Sequence, residues 1–347
     1  VSQVRETVAD PEPVRDRVRF GVLGCAEIAW RRTLPALALT PGAELIAVAS
    51  REPDKAGEFA TAFDCAPVVG YDRLLARTDI DAVYIPLPTG MHFDWATRAL
   101  AAGKHVLLEK PLCATASQAR ILLDDARRRG LLLRENLMFR YHDQHRRVRE
   151  LIASGEIGEL RSITARFGIP PRAADDIRYR PELGGGALLD VGVYPIAAAQ
   201  LLVPGPLSVA GAMRALDPAT GVDVHGAALL VNGDGVSAQL EFGFDHGYRC
   251  AYEIWGSRGH LVLDRAFTPP PDVTPGIEIF APQRRVLPGR PDDQFRNALR
   301  AFVNAVRAGV GVDVDPGGVG DTAAAVLDRA RLLDRVRAVG AQTASST

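Results

Sequence analysis

Through residues 18–138, short apolar and β-branched runs alternate with longer stretches whose apolar residues recur every three or four positions. Residues 18–23 form the first such run and read as a strand. The run meets Gly24, and a helical pattern carrying Trp30, Leu34, Leu37 and Leu39 follows. Further strands are expected over 44–49, over 81–87, over 103–108, and at 131–133 running on into Glu135 and Phe139. Between them, helical patterns close at 59–63 and cover 71–76, the stretch beginning at His92, and 117–129. Strands alternating with helices build a doubly wound parallel sheet, the Rossmann arrangement of an α/β protein.

Beyond a helix around 144–154 the period changes to two. Alternating segments at 160–167, 209–214, 222–231, 236–244, 248–255 and 260–263 are separated by Asn232-Gly233-Asp234-Gly235, Asp245-His246-Gly247 and Ser257-Arg258-Gly259. Short strands joined by tight turns predict a mostly antiparallel sheet, one face of which can meet a second subunit. Residues 267–275 are proline-rich and read as loop, and two helices, 293–308 and 321–338, end the pattern. The expected organisation is a flexible arm (1–17), a dinucleotide-binding domain (18–138), and an α+β substrate-binding and oligomerisation domain (139–340). The last helices of the second domain are placed to pack back on the first.

Composition narrows this picture. A chain of 347 residues exceeds what one core usually serves. A formal net charge of −1 gives neither a nucleic-acid footprint nor a membrane-attracting surface. The four cysteines, Cys25, Cys65, Cys113 and Cys250, are far apart, which speaks against a zinc site or disulfide framework and for a reducing cytoplasm. No apolar run is expected to span a membrane, and the charged segment 1–17 lacks the apolar core of a signal peptide. Residues 341–347 read as a frayed tail.

Candidate chemistry gathers at strand ends, where open α/β sheets bind ligands. The segment Gly24-Cys25-Ala26-Glu27-Ile28-Ala29 follows the dinucleotide pattern G-x-G-x-x-G/A, with Ala26 replacing the middle glycine. The second strand ends in Ser50-Arg51, where an NAD site wants a carboxylate for the ribose. A hydroxyl and a guanidinium suit a 2′-phosphate, with Lys55 and Arg31 or Arg32 able to add charge, so NADP(H) is the expected cofactor. Solvated helix-start residues are the alternative. The loop Pro86-Leu87-Pro88 should line the cofactor cleft, and His92 after it is either a site residue or a helix-start histidine.

Glu109-Lys110-Pro111 ends the 103–108 strand; Pro111 stiffens the turn and aims the lysine. An ordinary strand-end lysine is the alternative. In the second half, Gly184-Gly185-Gly186 permits close backbone approach and feeds a helix on which Asp190 and Tyr194 lie four apart, on one face. That pair is either structural or part of a site.

These motifs run along nearly the whole chain, which resembles the Gfo/Idh/MocA family of NAD(P)-dependent oxidoreductases, typified by glucose-fructose oxidoreductase and inositol dehydrogenase. Glu109-Lys110-Pro111 and the stretch from Gly184 through Asp190 to position 194 carry the resemblance most specifically. It implies a Rossmann domain joined to a domain with a large open-faced sheet. Many members have histidine where this chain has Tyr194. Tyrosine there is similar to two branches: C-3 ketoreductases of nucleotide-linked deoxysugars, and dihydrodiol and xylose dehydrogenases. The runs Cys25–Arg32, Asp176-Ile177-Arg178-Tyr179 and Gly192-Val193-Tyr194-Pro195 resemble the ketoreductases more closely.

The resemblance implies NADPH reduction of a keto sugar. Tyr194 is expected as the general acid, with Lys110 lowering its pKa, and Asp190 pairing with Lys110. Delivery of the proton by Lys110 itself stays open. Arg178, Tyr179, Phe139 and His145 are candidates for the substrate cleft, and Glu109 for the cofactor side. No metal is implied. Oxidation of free sugars or dihydrodiols is the other enzymatic reading, and a non-catalytic NADP(H)-binding protein the reading outside enzymes. A homo-oligomer, dimer or tetramer, is expected through the second sheet.

Overall fold

The computed structural model describes residues 17–315, 318–320 and 322–341. The expected arm, apart from residue 17, and the tail beyond 341 lie outside these. Six strands form the first sheet: β1 (Val18–Leu23), β2 (Ala43–Ser50), β3 (Ala66–Val69), β4 (Ala82–Ile85), β5 (His105–Glu109) and β6 (Leu133–Asn136). They lie in the order β3-β2-β1-β4-β5-β6, and every neighbouring pair is parallel. Helices α1 (Leu34–Ala38), α2 (Pro53–Phe63), α3 (Tyr71–Leu75), α4 (Thr89–Ala101) and α5 (Ala116–Arg129) connect them. A π-helical turn, Ala29–Thr33, precedes α1, and Leu39 falls past its end, 62% exposed rather than in the core. The order reverses between β1 and β4, so a crevice opens at their carboxyl ends, beside Gly24 and Pro86. β4 is buried at every position, as a central parallel strand must be.

After α6 (Asp143–Ala153) and β7 (Leu160–Gly168) comes α7 (Val193–Leu202). Then follow β8 (Leu207–Leu216), β9 (Asp223–Asn232), β10 (Ser237–Gly243), β11 (Arg249–Gly256), β12 (His260–Asp264), β13 (Ile277–Phe280) and β14 (Arg284–Leu287). The second sheet runs β14-β13-β12-β11-β7-β10-β9-β8. All its pairs are antiparallel except β10 with β7. Strands β3, β13 and β14 were not expected; each is four residues long, too short for alternation to stand out.

One face of the second sheet packs Ile163, Leu230, Leu240 and Ile254 into the same core as α7. The register puts Trp255, Leu229, Met213 and Val286 on the other face, where they are 63%, 39%, 41% and 51% exposed. The expectation of no membrane-length apolar run needs correction: among the described residues Pro181–Leu202 is long and apolar enough by composition. Most of its apolar part is buried, because it includes the helix packed under this sheet.

Helices α8 (Gln294–Arg307) and α9 (Ala323–Ala341) close the described chain. α8 sets Phe302 against Phe20 of β1, ring centroids 5.8 Å apart. α9 reaches both sheets: Arg329 pairs with Glu135 of β6, and the Arg337 carbonyl accepts from Arg214 of β8.

Candidate functional site

Lys110 lies immediately beyond β5. Its Nζ donates to Asp190 Oδ1 at 2.8 Å and to the Asp190 carbonyl at 2.6 Å. Asp190 belongs to a π-helical turn, Leu188–Gly192, that runs directly into α7. Its other oxygen, Oδ2, accepts from Arg178 Nε at 2.6 Å, and Arg178 Nη1 reaches Asp176 at 3.1 Å. Two cations and two carboxylates thus alternate along one chain of hydrogen bonds. Burial opposes the charge on Asp190, but Lys110 and Arg178 outweigh it and hold its carboxyl well below the usual range. The expected Lys110–Asp190 pairing is present.

The triple glycine brings this cluster to the first sheet. A Cβ on Gly184, at φ +74°, would lie 2.7 Å from the Gly90 backbone nitrogen at the start of α4. Backbone therefore meets backbone where the two halves touch.

Tyr194 corrects an expectation. The Lys110 ammonium lies over its ring, 5.1 Å from the centroid, not against its oxygen. The hydroxyl is 3.9 Å from Met138 Sδ, and Phe139, Phe167 and Phe267 pack around the ring. Burial, with Glu109 and Asp190 nearby, pushes the phenol well above its ordinary pKa. The net shift is upward, against the expected lowering.

Other candidates prove to be supports. Glu109 accepts from Tyr84 Oη at 2.8 Å and Asn136 Nδ2 at 2.7 Å, and Tyr84 accepts from Thr33 at 3.0 Å. Burial raises the Glu109 pKa. This carboxylate, at the carboxyl end of β5, ties together β4, β5 and β6. His92 is fully buried between the Leu87 carbonyl, 2.7 Å from Nε2, and the Pro111 carbonyl, 2.9 Å from Nδ1. Burial lowers its pKa. It ties the β4 loop to the Lys110 turn and offers no nitrogen to a ligand.

His145 and Phe139 do not line a cleft. His145 is 1% exposed, bonded to Tyr252 Oη at 3.0 Å and the Ala266 carbonyl at 2.9 Å; burial takes its pKa down to about 3, so it is neutral and no anion binder. Phe139 is fully buried behind Tyr194. Tyr179 is half-buried at the rim, its hydroxyl accepting the Arg172 N–H at 3.2 Å.

On the cofactor side Gly24 has φ +116°, and a Cβ there would meet Leu87 at 2.7 Å. Ala26 and Ile28 are half-buried in the turn that follows, while Pro86 is buried and Leu87 and Pro88 are half-buried across the crevice. Burial pushes the Cys25 thiol up to about 11, so it stays protonated beside Lys55. Ser50 Oγ accepts the Glu52 N–H at 3.1 Å, and Arg51 is exposed. Lys55 and Arg31 are exposed, paired with Glu52 at 3.3 Å and Glu27 at 2.8 Å; Arg32 is half-buried. The β2 end thus offers a hydroxyl and a guanidinium where NAD would want a carboxylate. That donor set fits a 2′-phosphorylated dinucleotide. Among the described residues no His, Cys, Asp and Glu cluster could hold a metal.

Sequence reasoning missed Asp176, Tyr84, Glu135 and Arg329. The available signal was polar groups in segments read as buried strand: Tyr84 in the otherwise apolar β4, and Glu135 in β6 just after the run 131–133, are both buried.

A Rossmann sheet, an open-faced second sheet and a lysine–aspartate pair between them define an oxidoreductase class. The chain belongs to the Gfo/Idh/MocA oxidoreductase family: residues 18–137 match the family's NAD-binding Rossmann fold and 145–262 a GFO/IDH/MocA C-terminal domain. It is 53% identical over 326 residues to dTDP-3,4-didehydro-2,6-dideoxy-alpha-D-glucose 3-reductase of Saccharopolyspora spinosa, covering 93% of this chain and 97% of that one. A D-xylose 1-dehydrogenase (NADP(+)) of Haloferax volcanii is 36% identical, covering 85% and 91%. Among solved structures, a 3-ketoreductase from Actinomadura kijaniata in complex with NADP and TDP-benzene matches with a TM-score of 0.88 at 47% identity, covering 93% and 98%.

Proposed function

We infer that the protein reduces the C-3 ketone of a dTDP-linked keto-deoxysugar with NADPH. The observation that carries this is the Lys110 ammonium, fixed by the side chain and carbonyl of Asp190 at the carboxyl end of β5. Identity of 53% to the Saccharopolyspora 3-reductase, against 36% to the xylose dehydrogenase, supports the ketone over the free sugar.

When bound, NADPH supplies the hydride. Lys110 donates a hydrogen bond to the ketone oxygen and passes it a proton as negative charge grows there. Asp190 stays ionised and orients the ammonium. Arg178 holds the second oxygen of Asp190. The Tyr194 ring supports the cation through its π face, about 0.5–2 kcal/mol, and its phenol keeps its proton. Ser50, Arg51 and Lys55 would hold the 2′-phosphate, and the Gly24 turn the pyrophosphate.

Two copies, or two pairs of them, meet through the open face carrying Trp255, Leu229 and Met213; this exposed apolar surface supports a homo-oligomer. Four free cysteines and a nucleotide-linked substrate fit a cytoplasmic enzyme. The test is NADPH oxidation with a dTDP-linked 3-keto sugar, set beside NADP-linked oxidation of D-xylose and a dihydrodiol. Turnover should be fastest on the nucleotide-linked ketone and should favour NADPH over NADH. Preference for xylose would replace this reading with a free-sugar dehydrogenase; tight NADPH binding without turnover on any of them would leave a binding protein.

A further inference from the structure

Glu135 of β6 and Arg329 of α9 are 3% and 1% exposed. Arg329 Nε donates to Glu135 Oε2 at 2.9 Å, and Nη2 reaches the same oxygen. The other oxygen, Oε1, accepts the Leu112 N–H at 2.7 Å. Leu112 stands two residues past Lys110, in the turn that aims the ammonium. A buried carboxylate is costly unless paired and hydrogen-bonded. Here one oxygen takes a cation from the far end of the chain, and the other takes the backbone of the lysine's own turn.

The same helix grips the turn twice more. Ala116 N–H donates to Asp334 Oδ2 at 2.8 Å, and Arg337 Nη2 donates to the Ala114 carbonyl at 3.0 Å. Arg329 Nη1 also donates to Gln200 Oε1 at 3.1 Å, on the helix that carries Tyr194. α9 is therefore bonded both to the segment that follows Lys110 and to the helix that follows the Asp190 turn.

We propose that Glu135 is a positioning residue for Lys110, accepting the Leu112 N–H while Arg329 of α9 holds its carboxylate. The proposal rests on the proton-donor role given to Lys110 above. Misplacement by about 1 Å in such a site costs up to about a hundredfold in rate.

Two double variants separate positioning from stability: Glu135→Met with Arg329→Met, and Glu135→Gln with Arg329→Met. Both remove the buried pair together, so neither strands a lone charge. They differ in whether position 135 offers an oxygen to Leu112. The methionine pair is expected to lower kcat about ten- to hundredfold, with the KM for NADPH within about twofold of the parent, and to speed hydrogen exchange at the Leu112 amide. The glutamine pair is expected within about threefold of the parent in kcat, at a similar Tm. Equal kcat in the two, or a loss that merely follows Tm, would overturn the proposal. Glu135→Leu with Arg329→Met serves if the methionine pair does not fold: kcat drops severalfold with faster Leu112 exchange, and parental values of both would overturn it. Exchange at Leu112 does not depend on which sugar is reduced. Faster exchange in a protein whose parent ignores keto sugars would sink the substrate assignment alone; unchanged exchange in variants of an active parent would sink the positioning role alone.

Discussion

Tyr194 offers Lys110 its ring and keeps its hydroxyl beside Met138, 3.9 Å from the sulfur. Phenylalanine preserves that ring. Tyr194→Phe should therefore hold kcat within about threefold, whereas a hundredfold loss in steady-state turnover would return the acid role to the phenol. Asp190 behaves in the opposite sense. Its folded pKa is depressed, so its contribution to stability is present above the unfolded value of about 3.9 and disappears only as pH falls through the lower folded value. The cluster with Lys110 and Arg178 thus persists throughout the mildly acidic range, and an acid limb in kcat/KM above about pH 4 belongs to another group. A series of Tm against pH checks the sign: Asp190→Asn should flatten the decline below about pH 4, and a decline identical to the parent's would remove Asp190 from it.

At the scale of elements, the contact between Gly184 and Gly90 explains the glycine run: a methyl at 184 would press on backbone and force φ +74° on a side chain. Gly184→Ala should cut kcat/KM for the sugar about tenfold or more while NADPH titrates normally by fluorescence; equal loss of both would point to general unfolding. The alternation of β1, β2, β4 and β5 with helices made the first sheet legible, because buried parallel strands are continuous apolar runs. Lys110 was legible because a lysine after such a run has no core role. Asp190 and Tyr194 were legible as a pair four apart. Which part of the ring Lys110 meets was not, since a π-helical turn and three phenylalanines set its orientation. His145 and Phe139 misled because residue type says nothing of depth: both are buried, Phe139 packing its ring against His145 and Phe267. Glu135 went unseen because its partner lies 194 residues away.

For the whole molecule, the uncovered side of the eight-stranded sheet carries a tryptophan 63% exposed. Such a face is buried by a second copy more readily than left in water. Sedimentation should find the parent as a dimer or tetramer and Trp255→Glu shifted toward monomer; a monomeric parent would assign that face elsewhere. The two lobes meet at the proposed site, where an ammonium from one is hydrogen-bonded to a carboxylate from the other. The most direct measurement is single-turnover reduction of a dTDP-linked 3-keto sugar by Lys110→Met with NADPH already bound. The rate should fall by about a hundredfold or more while NADPH affinity stays at the parent value. A rate within a few-fold of the parent would mean that the proton comes from some other group.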